Sequence, residues 1–404
     1  MSASQTTTLP APAPAESAAP VASQRPKSPD GIRICHLSPM EGRRDPRAYT
    51  RESLPIVVHG IRPVIIGGDQ SGGPGEIECL TVKKVKSRFW RILTASRMIW
   101  KAVRQKAEVY HVHNPENIPA ALALRYLFGH RVIYDSREDF PSMMLTKEYL
   151  SPFMRLAAKR FTLAAEKLAA RALDGFITAD SGTLRYYARV GRSKKLVFYN
   201  FPNLEFFADA PEAQTKRFDV VYRGGLSERA GTMVLLNAVA LLKKRGANVS
   251  LLVFGYSDSE RVTRSIRQRI ADLEIEDIVT MGGVIPHADM QRTLSQAHVA
   301  VCPLLNIPKF MNNIPVKVFE SWACGLPVIA TDLPPIRPFY PRNQLGLLVP
   351  PNDPEALARV IQEVLSQPEL IEKYGREAKK LVTRRYNNQS EVRKLARFYR
   401  KVMA

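Results

Sequence analysis

The chain is 404 residues long, 45% hydrophobic, 24% charged and 8% aromatic, a balance that excludes collagen, coiled coil and wholesale disorder. Its 59 Lys and Arg against 38 Asp and Glu leave a formal charge of +21, which points to an anionic partner: nucleic acid, anionic lipid or a phosphorylated small molecule. At roughly 100–200 residues per domain the length predicts two domains, each able to bury a core without metal or disulfide.

Residues 1–30 carry six prolines among Ala, Ser and Thr, with no charge before Glu16 and no apolar run. They read as a disordered extension rather than a secretory leader. No uninterrupted apolar stretch approaches the roughly 18–20 residues of a spanning helix, so no integral segment is predicted. Cys35, Cys79, Cys302 and Cys324 form no Cys-x-x-Cys pair, which fits a reducing cytoplasm and indicates neither zinc knuckle nor disulfide framework.

From Gly31 short apolar runs alternate with longer amphipathic segments, the rhythm of βαβ units and a parallel sheet. Strands are predicted at 32–37 (IRICHL) and 63–66. The stretch 83–106 then holds nine basic residues and no acidic one, with apolar groups at helical spacing. Two readings stand: an apolar face docked on the first domain's sheet, or a basic face on anionic lipid carrying Arg88, Trp90, Arg91, Arg97, Trp100 and Lys101. Strands follow at 109–112 (VYHV), 132–134, 173–178 and 195–199, then a turn at 200–203. A second series starts at 218–222 (FDVVY), with strands at 249–254, 278–281, 299–303 and 327–331. Its helices are predicted at 233–245, 259–273, 288–297, 316–324 and 355–365, the last opened by Asp353 as N-cap and Pro354 at the first helical position. The predicted organisation is α/β: a Rossmann-like domain over 31–208, a linker over 209–217, a second Rossmann-like domain over 218–385, and a C-terminal helix within 386–404 that packs back on the first domain. Two such halves facing a central cleft place a ligand there.

The strongest chemical signal is the run 312–330 (NNIPVKVFESWACGLPVIA). A helix entered near Val316 puts Lys317 and Glu320 on one face at i and i+3. Its start offers backbone N–H groups and a positive dipole end to a phosphate, and Lys317 adds a full charge. Glu320 can accept from sugar hydroxyls. A plain surface ion pair fits that spacing equally well. At 221–231 (VYRGGLSERAG) a strand ends in Gly224 and Gly225, which let a phosphate approach the backbone, with Arg223 and Arg229 nearby to bind it. Solvated arginines on a Gly-rich turn are the competing reading. No Asp-x-Asp occurs, and no His or carboxylate cluster shows metal-ligand spacing, so neither metal nor cofactor is predicted. His113 and Glu138, near predicted strand ends, are candidates for the cleft, although a lone histidine is more often structural.

These residues resemble the family 4 retaining glycosyltransferases of the GT-B architecture. Asn312, Pro315, Lys317 and Glu320 match the family's Asn-x-x-Pro-x-Lys-x-x-Glu variant, continued by Ala323, Cys324, Gly325, Pro327 and Val328. The resemblance implies that Glu320 holds the donor's ribose and that Asn312 stands where a first glutamate usually contacts the transferred sugar. In the donor turn Gly225 and Ala230 occupy the places of two cations, with Arg223 and Arg229 one or two residues away. Segments 345–357, 111–115 (HVHNP) and 134–141 (YDSREDFP) are further echoes, and Arg137 replaces a common histidine. The resemblance implies a nucleotide-diphosphate-sugar donor on the second domain and a lipid-linked glycan acceptor on the first. It further implies same-face transfer with retention and work on the cytoplasmic face of a membrane in polysaccharide or glycolipid synthesis. Two other functions are weighed: a nucleotide-sugar epimerase, which needs groups poised for proton abstraction, and a nucleic-acid-binding protein, for which no module is found.

Overall fold

The computed structural model describes residues 31–38, 45–68, 76–82, 91–147, 149–207, 215–257, 259–286, 289–340 and 347–404, leaving aside the side chains of Pro46, residues 91–96 and Glu228. The predicted extension 1–30 lies outside the described residues, as do residues 209–214 of the predicted linker. Two compact units result, one of residues 31–200 with 388–404, the other of residues 201–387.

The first unit is built on a seven-stranded sheet in the order β3-β2-β1-β4-β5-β6-β7. Its strands are β1 Ile32–Ser38, β2 Ile61–Gly67, β3 Glu78–Thr81, β4 Val109–His113, β5 Arg131–Ser136, β6 Gly175–Thr178 and β7 Lys194–Val197. Every pairing is parallel, so both sheet faces need cover, which is why the interior strands read as nearly continuous apolar runs. Alternate residues divide between two cores. Cys35, Leu37, Tyr110, Val112, Tyr134 and Phe176 pack under the helices Arg91–Val103, Ile118–Tyr126 and Pro152–Ala172. Ile34, Val109, Ile133 and Ile177 meet Val392, Leu395, Phe398 and Tyr399 of the C-terminal helix Asn388–Met403. Strand β3 is not predicted from sequence, because Glu78, Cys79, Leu80 and Thr81 carry no alternation at this short edge.

Glu166 of the helix Pro152–Ala172 is fully buried and accepts from Tyr134 Oη (2.9 Å), Ser136 Oγ (2.7 Å) and Tyr187 Oη (2.5 Å). Burial pushes its pKa up to about 7, with the three hydroxyls pulling the other way. A raised folded-state value means that stability is fully present below the ordinary value of 4.5 and is lost as pH rises through 7. Relative to Glu166→Gln, the wild type should lose roughly 3 kcal/mol between those limits and nothing further above them. Urea denaturation of both proteins across that window checks this, and a pH-independent difference contradicts it.

The second unit carries a six-stranded sheet in the order β10-β9-β8-β11-β12-β13. Its strands are β8 Phe218–Arg223, β9 Leu251–Phe254, β10 Val279–Gly283, β11 Ala297–Cys302, β12 Val328–Thr331 and β13 Leu348–Val349, again parallel throughout. Chain order reverses direction between β8 and β11, the switch point at which doubly wound sheets place ligands beyond their carboxyl ends. Helices Thr232–Lys244, Glu260–Asp272, Val316–Ala323, Pro354–Leu365 and Pro368–Arg384 connect and cover the strands. The Asp353 carboxylate accepts from Ala356 N (2.8 Å), the cap its spacing predicts. The helix expected over 288–297 is a single turn, Met290–Leu294, because β11 already begins at Ala297. Among the described residues no helix is long and apolar enough to cross a membrane.

Candidate functional site

Beyond the carboxyl ends of β8 to β11 a cavity of about 520 Å³ opens in the second unit. Two glycines let its floor form. Gly224 and Gly255 both hold φ +143, and a Cβ on Gly255 would stand 1.8 Å from the Gly224 carbonyl oxygen. Gly224 N donates to Phe254 O (3.1 Å), Gly255 N to Gly283 O (2.7 Å) and Leu226 N to Tyr256 O (2.8 Å), lacing three successive strand ends together.

The cavity wall is cationic. Arg223, Arg229, Lys309 and Lys317 line it, and among the described residues no carboxylate does. Pro315, Val316 and Lys317, where the helix Val316–Ala323 starts, also line it, and no side chain caps that end. The amide groups and dipole of that first turn therefore add to the positive potential. Lys317 Nζ sits 4.5 Å from the centre of the Tyr222 ring, whose hydroxyl donates to Gly225 O (2.9 Å). Burial opposes the ammonium's charge, but Tyr222 and Cys302 outweigh it and hold the lysine above its ordinary value. It stays charged. Asn313 Oδ1, on the same wall, is buried without a hydrogen-bond partner, an acceptor suited to a hydroxyl donor.

The structure thus brings Arg223, Gly224, Gly225, Arg229 and Lys317 to one cavity. Glu320 is placed differently: it is 3% exposed, ion-paired with Arg223, and not part of the lining. It holds the arginine rather than facing the open space. Asn312 is half-buried and also off the wall, whereas its neighbour Asn313 is on it. Lys309, Tyr256, Gly255 and Asn313 were not singled out from sequence. They arrive from loops after β9 and β11, and only the Phe254-Gly255 step, which repeats Arg223-Gly224 at the neighbouring strand end, offered a local cue. The thiols are poor nucleophiles: burial pushes Cys324 up to about 12, aided by Glu320, and raises Cys302.

In the first unit Glu138 is exposed on the loop after β5, its carbonyl accepting from Ser136 Oγ (3.2 Å). His113 corrects the expectation of a residue reaching out from its strand end. It is fully buried, with Nδ1 3.1 Å from Asp135 Oδ2 and Nε2 3.1 Å from His36 Nδ1. The expectation that no His and carboxylate cluster forms is corrected too: His36, Glu52, His111 and His113 converge, all buried. Around them Arg47 clamps Asp135 through Nε (2.6 Å) and an amino nitrogen (2.8 Å), and Arg137 makes a bidentate pair with Asp45 (2.5 and 2.7 Å). Burial works against the Asp45 charge, yet the Arg137 guanidinium holds its carboxyl below the usual carboxylate range. Burial pushes Glu52 well up and His36 and His111 well down.

Of the residues expected to face lipid, Arg88 and Trp90 lie outside the described residues, as does the side chain of Arg91. Arg97 is exposed and Trp100 is 58% exposed, with the Arg104 guanidinium 4.7 Å from its ring centre. Lys101 corrects the expectation: its Nζ donates to Thr81 O (2.5 Å), while Met98 and Ala102 enter the core. That helix is docked. A different surface is the apolar and basic one, on the helix Pro152–Ala172, where Phe153 (81%), Met154, Leu156, Phe161 (76%) and Leu168 are exposed.

A Rossmann-type unit with an anion-receptive cavity at the carboxyl ends of its strands is the class this geometry defines. Residues 205–381 match the family model described as glycosyl transferases group 1. Among curated relatives, the amylovoran biosynthesis glycosyltransferase AmsK of Erwinia amylovora is 33% identical over 145 residues, 36% of this chain and 35% of that protein. The putative colanic acid biosynthesis glycosyltransferase WcaL of Salmonella typhimurium is 30% identical over 173 residues, 42% of each chain. The matches therefore span less than half the length of either relative. Among solved structures, sucrose-phosphate synthase of Thermosynechococcus elongatus superposes with TM-score 0.73 at 19% identity, over 92% of this chain and 99% of that one. Anabaena Alr3699/HepE, solved in complex with UDP-glucose, gives 0.70 at 14% identity, over 92% of this chain and 100% of that one. The fold is that of the GT-B glycosyltransferases, two parallel-sheet Rossmann-like units.

Proposed function

We propose that the protein transfers a sugar from a nucleoside-diphosphate sugar to a lipid-linked glycan acceptor in exopolysaccharide synthesis, with retention of anomeric configuration and without a metal on the donor diphosphate. The observation that carries the donor assignment is the wall of Arg223, Arg229, Lys309 and Lys317 beside an uncapped helix start. As the glycosidic bond to the diphosphate breaks, negative charge grows on the leaving oxygens, and fixed cations in a walled cavity stabilise it more than they do the ground state. With no carboxylate among the described lining residues, the wall is chemically a receptor for the anion itself rather than for a divalent ion. Tyr256, exposed beside Gly225, offers a flat ring to a base. The printed descriptions of AmsK and WcaL support the exopolysaccharide reading, and that of HepE with UDP-glucose supports the donor class. Retention, and the transfer of the acceptor's proton to the departing phosphate, rest on the family resemblance.

Titration calorimetry should show UDP and UDP-glucose binding far more tightly than UMP, with affinity falling as salt rises. Failure of every nucleoside diphosphate to bind overturns the reading. Incubation with nucleotide sugar alone should give at most slow hydrolysis, and an isomeric nucleotide sugar would identify an epimerase.

Attachment to an anionic bilayer belongs to the same proposal, and the helix Pro152–Ala172 supports it. Its exposed apolar residues are interleaved with Arg155, Lys159, Arg160, Lys167 and Arg171, and its one acid, Glu166, is buried. Phenylalanines that dip into the interface beside cations suit a negatively charged surface. Replacing Phe153 and Phe161 together by Ser should weaken co-sedimentation with phosphatidylglycerol vesicles by roughly tenfold or more, at about 1.5–3 kcal/mol per buried side chain. Equal sedimentation of the double variant would discard this surface.

A further inference from the structure

We propose that His36, Glu52, His111 and His113 form a closed four-ligand site for a zinc-class divalent ion in the first unit. Three of the ligands are set by strand register. His36 of β1 lies opposite His111 of β4, and His111 and His113, two residues apart, share a sheet face. The fourth comes from the π-helical segment Pro46–Ser53, which lays Glu52 over that face. One donor atom from each residue falls within 4.8 Å of the others.

The separations bracket those of a coordination shell. His36 Nδ1 to His113 Nε2 is 3.1 Å, and Glu52 Oε2 lies 3.6 Å from His36 Nδ1, 3.8 Å from His111 Nδ1 and 3.8 Å from His113 Nε2. Bonds of roughly 2.0–2.1 Å to a tetrahedral ion give edges of about 3.3–3.4 Å between ligand atoms. Orientation supports the same reading. Asp135 Oδ2, 3.1 Å from His113 Nδ1, fixes that nitrogen as the protonated one and turns Nε2 toward the cluster, an arrangement that outer carboxylates give to metal-binding histidines. Asp135 is in turn immobilised by Arg47.

An independent observation points to a missing partner. Both Glu52 carboxylate oxygens are buried without a hydrogen-bond partner, and Glu52 is 1% exposed. Arg47 Nε, 3.0 Å away, supplies an ion pair to Oε1 only. A cation among the three imidazoles gives Oε2 its counter-charge and uses three nitrogen lone pairs at once. Tyr399 Oη, 2.7 Å from His111 Nδ1, competes for that donor atom, and His36 Nδ1 and His113 Nε2 stand at hydrogen-bond distance from each other, a pairing the ion would replace. Three imidazoles and one carboxylate make a borderline set that suits Zn²⁺ over Ca²⁺ or Mg²⁺. With all four positions taken by protein and every ligand buried, the ion is structural: it ties the segment Pro46–Ser53 to β1 and β4. It lies in a different unit from the cationic cavity and takes no part in the transfer.

The test measures metal in the full chain, purified with any affinity tag removed. Inductively coupled plasma mass spectrometry should find about one zinc per chain. Stripping with a strong chelator should lower Tm, zinc should restore it, and Co²⁺ should give the intense visible absorption of a tetrahedral site. Glu52→Gln keeps the side chain's shape and should abolish both zinc and the cobalt spectrum, whereas Tyr399→Phe should keep both. Zinc below about a tenth of an equivalent in the wild type, with no cobalt spectrum and no metal-dependent Tm, overturns the proposal and leaves a hydrogen-bonded polar core. Zinc retained by Glu52→Gln overturns it as well.

Discussion

Gly255→Ala should destabilise the second unit by about 4 kcal/mol or more and abolish nucleoside-diphosphate binding, the size expected when a side chain is forced into fixed backbone. The added Cβ would lie 1.8 Å from the Gly224 carbonyl oxygen, at a φ of +143 that L-residues rarely adopt. Neither partner can retreat cheaply. Gly224 N is held by Phe254 O and Gly255 N by Gly283 O, so relief means unzipping the ends of β8 and β9. Gly224 also faces Lys317, whose Nζ is 3.3 Å from the place a Cβ would take there, so the same displacement moves the cavity's central cation. Gly283 is the control: at φ +67 with nothing within 4 Å, Gly283→Ala should cost only about 1–2 kcal/mol. Urea denaturation of the two variants separates steric collision from the general strain of a positive φ. Similar stability losses would show that the β8–β9 junction yields.

Lys317→Met should weaken UDP binding by about 10- to 150-fold, equivalent to the roughly 1.5–3 kcal/mol of a charge-assisted contact. Methionine keeps an apolar stem over Tyr222 but removes the charge and its attraction to that ring, so the protein without nucleotide should melt slightly below the wild-type temperature. The affinity should also depend less on salt. Unchanged calorimetric affinity would mean that Arg223, Arg229 and Lys309 hold the diphosphate without it.

Parallel strands buried on both faces write themselves as apolar runs, which is why VYHV and FDVVY announced β4 and β8 within a residue at either end. The donor-side turn was legible for a related reason: Arg223, Gly224 and Gly225 are contiguous, and Lys317 follows a proline that marks a helix start. What sequence could not show is assembly by topology. Tyr256 follows β9 while Lys309 and Asn313 share the segment after β11, and they meet only because β9, β8 and β11 are neighbours. The histidine cluster is the sharper case, for His36 and His113 are 77 residues apart and the lone local hint was two histidines alternating within β4. Glu320 shows the reverse limit. Its helical spacing with Lys317 was read correctly, but periodicity cannot tell a carboxylate facing a cavity from one turned inward to Arg223.

The C-terminal helix has a consequence for synthesis. Ile34, Val109, Ile133 and Ile177 acquire their cover from Val392, Leu395, Phe398 and Tyr399, residues synthesised only after the whole stretch 201–387. The unit of residues 201–387 can therefore mature while its predecessor in the chain still shows a bare greasy sheet to chaperones. Truncation at residue 387 would strand the amino-terminal half in that nascent condition.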